Sequence, residues 1–188
     1  MNRRYLIAVL ATLSFSASAQ QPAASPRTWQ QAEKNDANRA LTYIQFTLAG
    51  RFTDPPHGNV SGPPILTLNC EPTDRKRSGE GKYISGQLQV GTPLKVVWVE
   101  PDEIHGTSYF PEVNVTYRVD DEKPQDVQWP PRSDKMSVAL DKEATKKILR
   151  GHALVITLSE SFDSQVVMQF DLPESSGVLQ TCGIREHK

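Results

Sequence analysis

The stretch VNVTYRVD, Val113 to Asp120, decides the fold. Val113, Val115, Tyr117 and Val119 alternate with Asn114, Thr116, Arg118 and Asp120. Successive side chains of a strand point to opposite faces, so this period of two describes a strand with one buried and one wetted face. Val166, Met168 and Phe170 repeat the pattern, as do Leu66, Leu68 and Cys70. Further strands are predicted at 82–90, 94–100, 125–129, 136–140 and 153–159, with Gly and Pro between them. Many short strands of this kind predict a sandwich or a barrel, and the fold expected is a mainly antiparallel β-sandwich. One short helix interrupts them, capped by Asp141 and ended by Gly151, with Ala144 and Ile148 inward and Lys146 and Lys147 outward. It reads as a crossover between two strands. A last helical turn at 176–180 is predicted to carry Cys182 back toward Cys70.

Ahead of the strands the composition changes three times. Residues 1–19 read as a cleavable export signal, with Arg3 and Arg4, an apolar run from Tyr5 to Phe15, and Ala17-Ser18-Ala19 as a small-x-small cleavage site. The run is too short to span a bilayer, so no membrane span is expected in the mature chain. Residues 20–27, rich in Ala, Pro, Ser and Gln, read as a flexible tether. A helix is predicted over 28–50. Thr28 and Gln31 have the spacing of a capping box, Ala37, Ala40, Leu41, Ile44 and Leu48 form a stripe at helical spacing, and Gly50 supplies the stop. Leu41, Ile44 and Leu48 would dock that helix on the β-sandwich domain, 51–188, or form a detachable helix that grips a partner.

Export places the chain in the periplasm or outside the cell, where thiols oxidise. Cys70 and Cys182, the only two cysteines, therefore read as a structural disulfide rather than a metal pair or a nucleophile. The 37% hydrophobic content is enough for a core. Removing the signal takes the formal charge from −1 to about −3, which makes nucleic acid and anionic lipid poor partners. The basic cluster Arg75-Lys76-Arg77 lies among Glu71, Asp74 and Glu80 without interleaved aromatics, and reads as a solvated loop.

The chemistry-bearing residues form no established catalytic set, and no cofactor is expected. His57 and His105 lie in Pro/Gly loops, and Asp102 and Glu103 precede His105, but their spacing matches no established metal-ligand pattern. No serine sits in a Gly-x-Ser-x-Gly elbow. Gly79-Glu80-Gly81-Lys82 resembles the end of a phosphate loop, yet Lys76 stands where its first glycine belongs and Tyr83 where magnesium needs a hydroxyl residue. Trp129 beside Pro130-Pro131 reads as a core residue or as a half-exposed stacking platform. With Tyr109 and Phe110 it would form a partner or ligand surface.

The segment VTYRVDDEKPQDVQW from Val115 to Trp129, the polar Ser133-Asp134 loop, VVMQFDL from Val166 to Leu172, and TCG from Thr181 to Gly183 resemble the TagO/VasI group. These are exported bacterial proteins associated with type VI secretion, and they also carry an upstream cysteine after a strand, here PPILTLNC ending at Cys70. Residues 29–49 and 71–82 fall outside the resemblance. It implies a scaffold in which Tyr117 fills the inner face, Arg118 and Asp120 pair on the wet face, and Lys123-Pro124 turns the chain. The expected function is a non-enzymatic accessory or adaptor protein of the cell envelope that binds another protein. A carbohydrate-binding module and a small metal-dependent hydrolase using His57 and His105 are the alternatives.

Overall fold

The computed structural model describes residues 28–37, 41–57, 60–71, 83–99, 110–159 and 164–183. The export signal, the tether, the cluster at 75–77, the phosphate-loop-like stretch, Asp102, Glu103, His105 and Tyr109 lie outside the described residues. Two antiparallel sheets face each other. The first runs in the order β1 (Gln30–Asp36), β2 (Leu41–Ala49), β4 (Ile65–Glu71), β5 (Tyr83–Gln89), β9 (Ser137–Leu140). The second runs β3 (Arg51–Asp54), β11 (Gln165–Asp171), β10 (Ala153–Ser159), β7 (Phe110–Val119), β6 (Val97–Val99), and β8 (Gln125–Trp129) also pairs with β7.

The alternation read from the sequence sorts these strands as predicted. Leu48, Leu66, Leu88 and Val138 from the first sheet meet Val115, Tyr117, Ile156 and Met168 from the second in one apolar core. Asn114 and Arg118 stay exposed. Tyr117 fills the inner face as expected, its ring stacked on Trp129 at 5.5 Å and its hydroxyl donating to Gln125 Oε1 at 2.8 Å.

The helix predicted over 28–50 is not there. Residues 30–36 and 41–49 form the antiparallel hairpin of β1 and β2, with Gln30 opposite Thr47 and Asp36 opposite Leu41. Ile44 and Leu48 satisfy a helical i, i+4 stripe, but they also share one face of a strand, and Phe46 between them joins that face. Pairing with β4, Ile44 to Cys70 and Phe46 to Leu68, buries all three positions where a lone helix would leave Phe46 off its stripe. Tertiary pairing overrides the helix propensity of the Ala, Gln, Glu and Lys residues around them.

Two corners join the sheets, each built by one stretch of chain that passes from one to the other. At the first, β2 continues through Gly50 into β3. The Gly50 N–H donates to Pro64 O at 2.8 Å, and a Cβ at this position would lie 2.6 Å from the Phe170 ring. Gly50 is thus required by close approach rather than by the left-handed helix stop predicted for it. At the second corner, the chain beyond β8 leaves the second sheet and borders β9 of the first: Ala139 N donates to Pro130 O and Arg132 N to Ser137 O, at 2.9 and 2.8 Å.

The two helices plug what the sheets leave open. Helix α1 (Lys142–Ile148) follows the prediction, with Asp141 Oδ1 accepting from Ala144 N at 2.7 Å and Ala144 and Ile148 in the core. It lies close over β5, because Gly86 offers no Cβ where Thr145 Oγ1 stands 2.8 Å from the Cβ position. Helix α2 (Ser176–Cys182) ends at Gly183 in the left-handed conformation. Its Val178 and Cys182 build a second core with Phe46, Leu68 and Cys70, closed by the Cys70–Cys182 disulfide that the sequence predicts. Trp29 packs against both cores.

Candidate functional site

A concave feature lies on the outer face of the second sheet, where β7, β8 and β10 meet the start of β11. A hollow of about 520 Å³ is lined by Asn114, Thr116, Asp126, Gln128, Thr157, Ser159 and Gln165. Strand register places them: Thr116 is opposite Asp126 on one side and Thr157 on the other, Asn114 is opposite Gln128, and Ser159 is opposite Gln165. Because Val115, Tyr117, Val127 and Leu158 are drawn inward, their strand neighbours must face out.

These side chains hold one another. Thr116 Oγ1 donates to Asp126 Oδ1 at 2.6 Å, and Gln128 Nε2 donates to Asn114 Oδ1 at 3.1 Å. Each pair crosses between β7 and β8, fixing the rotamers of polar groups that would otherwise wave in solvent. Among the described residues Asp126 supplies the only formal charge in the lining.

Glu112 lies on the same face of β7, two positions before Asn114. Its Oε2 is buried without a hydrogen-bond partner, and burial raises the carboxyl above its usual range. A raised carboxyl beside a second carboxylate is the pattern of acid and base pairs. Here the second would be Asp126, opposite Thr116, four strand positions away or about 13 Å at ~3.3 Å per residue. Paired carboxylates of glycoside hydrolysis stand about 5 to 9.5 Å apart, so these two do not work as a pair.

Of the residues expected to form a surface, Tyr109 lies outside the described residues and Trp129 does not reach the surface. Trp129 is fully buried, and its Nε1 donates to Asp141 Oδ2 at 2.9 Å. It cannot be a stacking platform: at the corner between the sheets, the neighbouring Pro130-Pro131 turns the chain over it, and Tyr117 covers one ring face. Phe110 opens β7, opposite Val99. Leu41, Ile44 and Leu48 belong to β2, and Leu48 is in the main core, so no partner helix presents them. Among the described residues no three His, Cys, Asp or Glu side chains gather as a metal site, and His57 sits in the exposed segment after β3.

The Arg118–Asp120 pairing implied by the resemblance is replaced by a backbone clamp. Asp120, at φ 51°, accepts from the N–H groups of His152 and Ala153, both at 2.8 Å. These two bonds hold its carboxyl below the usual range. The turn itself forms earlier than Lys123-Pro124, with Glu122 N donating to Val119 O at 3.1 Å. What the sequence reading did not anticipate is the hollow itself, although its signal was present in the polar partners of VNVTYRVD and in the alternation of Asp126 and Gln128.

A second feature is the edge strand β1. All of its residues but Asp36 are exposed, and among the described residues it pairs only with β2. Among those residues its outer edge from Gln30 to Asn35 carries backbone groups with no ladder partner.

The fold and site define a disulfide-closed protein of two facing antiparallel sheets, with a polar hollow on one and an open edge on the other. No known family model matches the chain, and no curated protein or solved structure is significantly similar to it. Among the described residues no helix is long and apolar enough to cross a membrane.

Proposed function

We propose that this chain is a non-enzymatic accessory or adaptor protein of the cell envelope, acting in the periplasm or outside the cell by binding another protein. The observation that carries the reading is β1. A strand exposed on both faces, with one edge unpaired among the described residues, accepts an extended segment of a partner as an added strand, main chain to main chain. Glu33 and Lys34 on that strand discourage indiscriminate pairing and so favour a partner of matching charge pattern. The export signal and the disulfide support the location. The resemblance to the TagO/VasI group supports a role beside type VI secretion.

The test is photocrosslinking in the native envelope from a probe at Lys34, compared with Ala32→Pro and Glu33→Pro variants. Neighbouring strand residues present their N–H groups to opposite sides, so one of the two prolines falls on the free edge and leaves the β1–β2 ladder intact. A single partner lost in that variant, with thermal stability retained, is the expected outcome. Crosslinks indifferent to both prolines would overturn strand addition, and the absence of any defined partner would overturn the adaptor reading.

A further inference from the structure

We propose that the hollow on the outer face of the second sheet is a binding site for a neutral, hydroxyl-rich oligosaccharide. The site is separate from the β1 edge and rests on its own observations.

Its size, about 520 Å³, falls within the range of small-molecule sites, about 300 to 1,000 Å³. Its chemistry narrows the ligand. The lining offers amide and hydroxyl groups that both donate and accept, and sugar hydroxyls need both. The internal hydrogen bonds leave a defined set unspent. With Asp126 Oδ1 taken by Thr116, Oδ2 is left to accept; with Asn114 Oδ1 taken by Gln128, the Asn114 amide N–H groups are left to donate and Gln128 Oε1 to accept. Acceptor and donor therefore stand on adjacent strands, already oriented, which lowers the ordering cost of binding.

Other ligand classes fit worse. Among the described residues no Lys or Arg lines the hollow and Asp126 is negative, so phosphate, nucleic acid and acidic ligands meet repulsion there without compensation. An apolar ligand would strip water from the Asn, Gln and Asp groups and return no hydrogen bonds. A peptide binds most strongly by joining a backbone ladder; along this face β10 is paired on both sides and β7 is from Val115 to Tyr117, and the outer edge of β8 is what the peptide comparison tests. Among the described residues no aromatic side chain lines the hollow, and these residues hold a sugar by its hydroxyls and amides rather than by ring stacking. Single-site affinity is accordingly weak.

The test is a side-chain and backbone amide NMR titration of the full, disulfide-closed chain with the trimer of N-acetylglucosamine, with maltotriose, and with tetra-alanine as the peptide comparison. Saturable shifts of the Asn114, Gln128 and Gln165 side-chain amides with either sugar, and none with the peptide, are expected. Asp126→Ala and Asn114→Ala, both at exposed positions, should weaken the response at least tenfold without moving the thermal midpoint. Gln45→Ala on the opposite sheet should leave it unchanged. No saturable shift with either sugar, shifts centred away from these strands, or an equal response to the peptide would overturn the proposal.

Discussion

Replacing Asp141 with alanine removes two bonds at once, and the loss follows from the structure. Asp141 Oδ1 caps helix α1 at Ala144 N, and Oδ2 accepts from the indole of the fully buried Trp129, at 2.7 and 2.9 Å. Loss of an N-cap costs about 0.5 to 2 kcal/mol. Leaving a buried indole N–H without an acceptor costs about 1 to 3 kcal/mol, toward the lower end here because Asp141 is itself exposed and water can reach its place. The Asp141→Ala variant should therefore lose about 2 to 4 kcal/mol in urea unfolding, a fall of roughly 6 to 12 °C in melting temperature for the middle of that range. Asp141→Asn keeps an acceptor for one of the two donors and sets an NH2 against the other, so it should lose less than Asp141→Ala but not recover the whole cost. Combined with Trp129→Phe, which deletes the donor, Asp141→Ala should show a coupling of about 1 to 2 kcal/mol in a double-mutant cycle. Additive losses within about 0.3 kcal/mol, or an Asp141→Ala cost below about 0.5 kcal/mol, would refute the reasoning that this carboxylate ties the sheet corner to the crossover helix.

Four other outcomes follow from single contacts. Replacing both cysteines with serine frees a loop with a sequence separation of 112 and should cost about 5 kcal/mol by chain entropy, read as a lowered denaturant midpoint relative to the oxidised protein. Gly50→Ala pushes a methyl group against the Phe170 ring, and calorimetry should show a loss of about 1 to 3 kcal/mol. Burial raises the Glu112 carboxyl, so the folded state loses stability as pH climbs from the ordinary carboxylate range through the raised value; Glu112→Gln should abolish that slope and raise the melting temperature at pH 7. Asp120 has the opposite sign. Its lowered carboxyl contributes stability above the ordinary range and loses it as pH falls through the folded value, so Asp120→Asn should flatten the melting profile below about pH 4.

Alternation made most of the strands legible from the sequence, because a face buried by a second sheet writes a period of two into each of them. The strands at 125–129 and 153–159 keep their predicted bounds, and Asp141 begins its helix where expected. The first hairpin was misread because i and i+4 fall on one side of both a helix and a strand. Phe46, two positions after Ile44 and two before Leu48, was the residue that separates the two readings. Trp129 was ambiguous for another reason: its burial depends on Asp141 and on the turn of Pro130-Pro131, neither of which declares its spatial neighbour in the sequence. The hollow was half legible. Its polar residues are the outward partners of the strands that fixed the fold, but their convergence depends on β8 lying beside β7 and on the register that sets Asp126 against Thr116.

The second core has an order of assembly written into it. Phe46, Leu68 and Cys70 come from the first half of the chain, whereas Val178 and Cys182 lie near its end. A chain emerging N-terminus first can pair β2 with β4 early, yet Phe46 and Leu68 lack the cover of Val178 and Cys182 until residues 176–182 arrive. A chain stopped short of Val178 therefore shows a greasy, half-roofed sheet to its surroundings and keeps a lone thiol at Cys70. Arrival of residues 176–182, rather than growth of the first sheet, is the event that locks the native state.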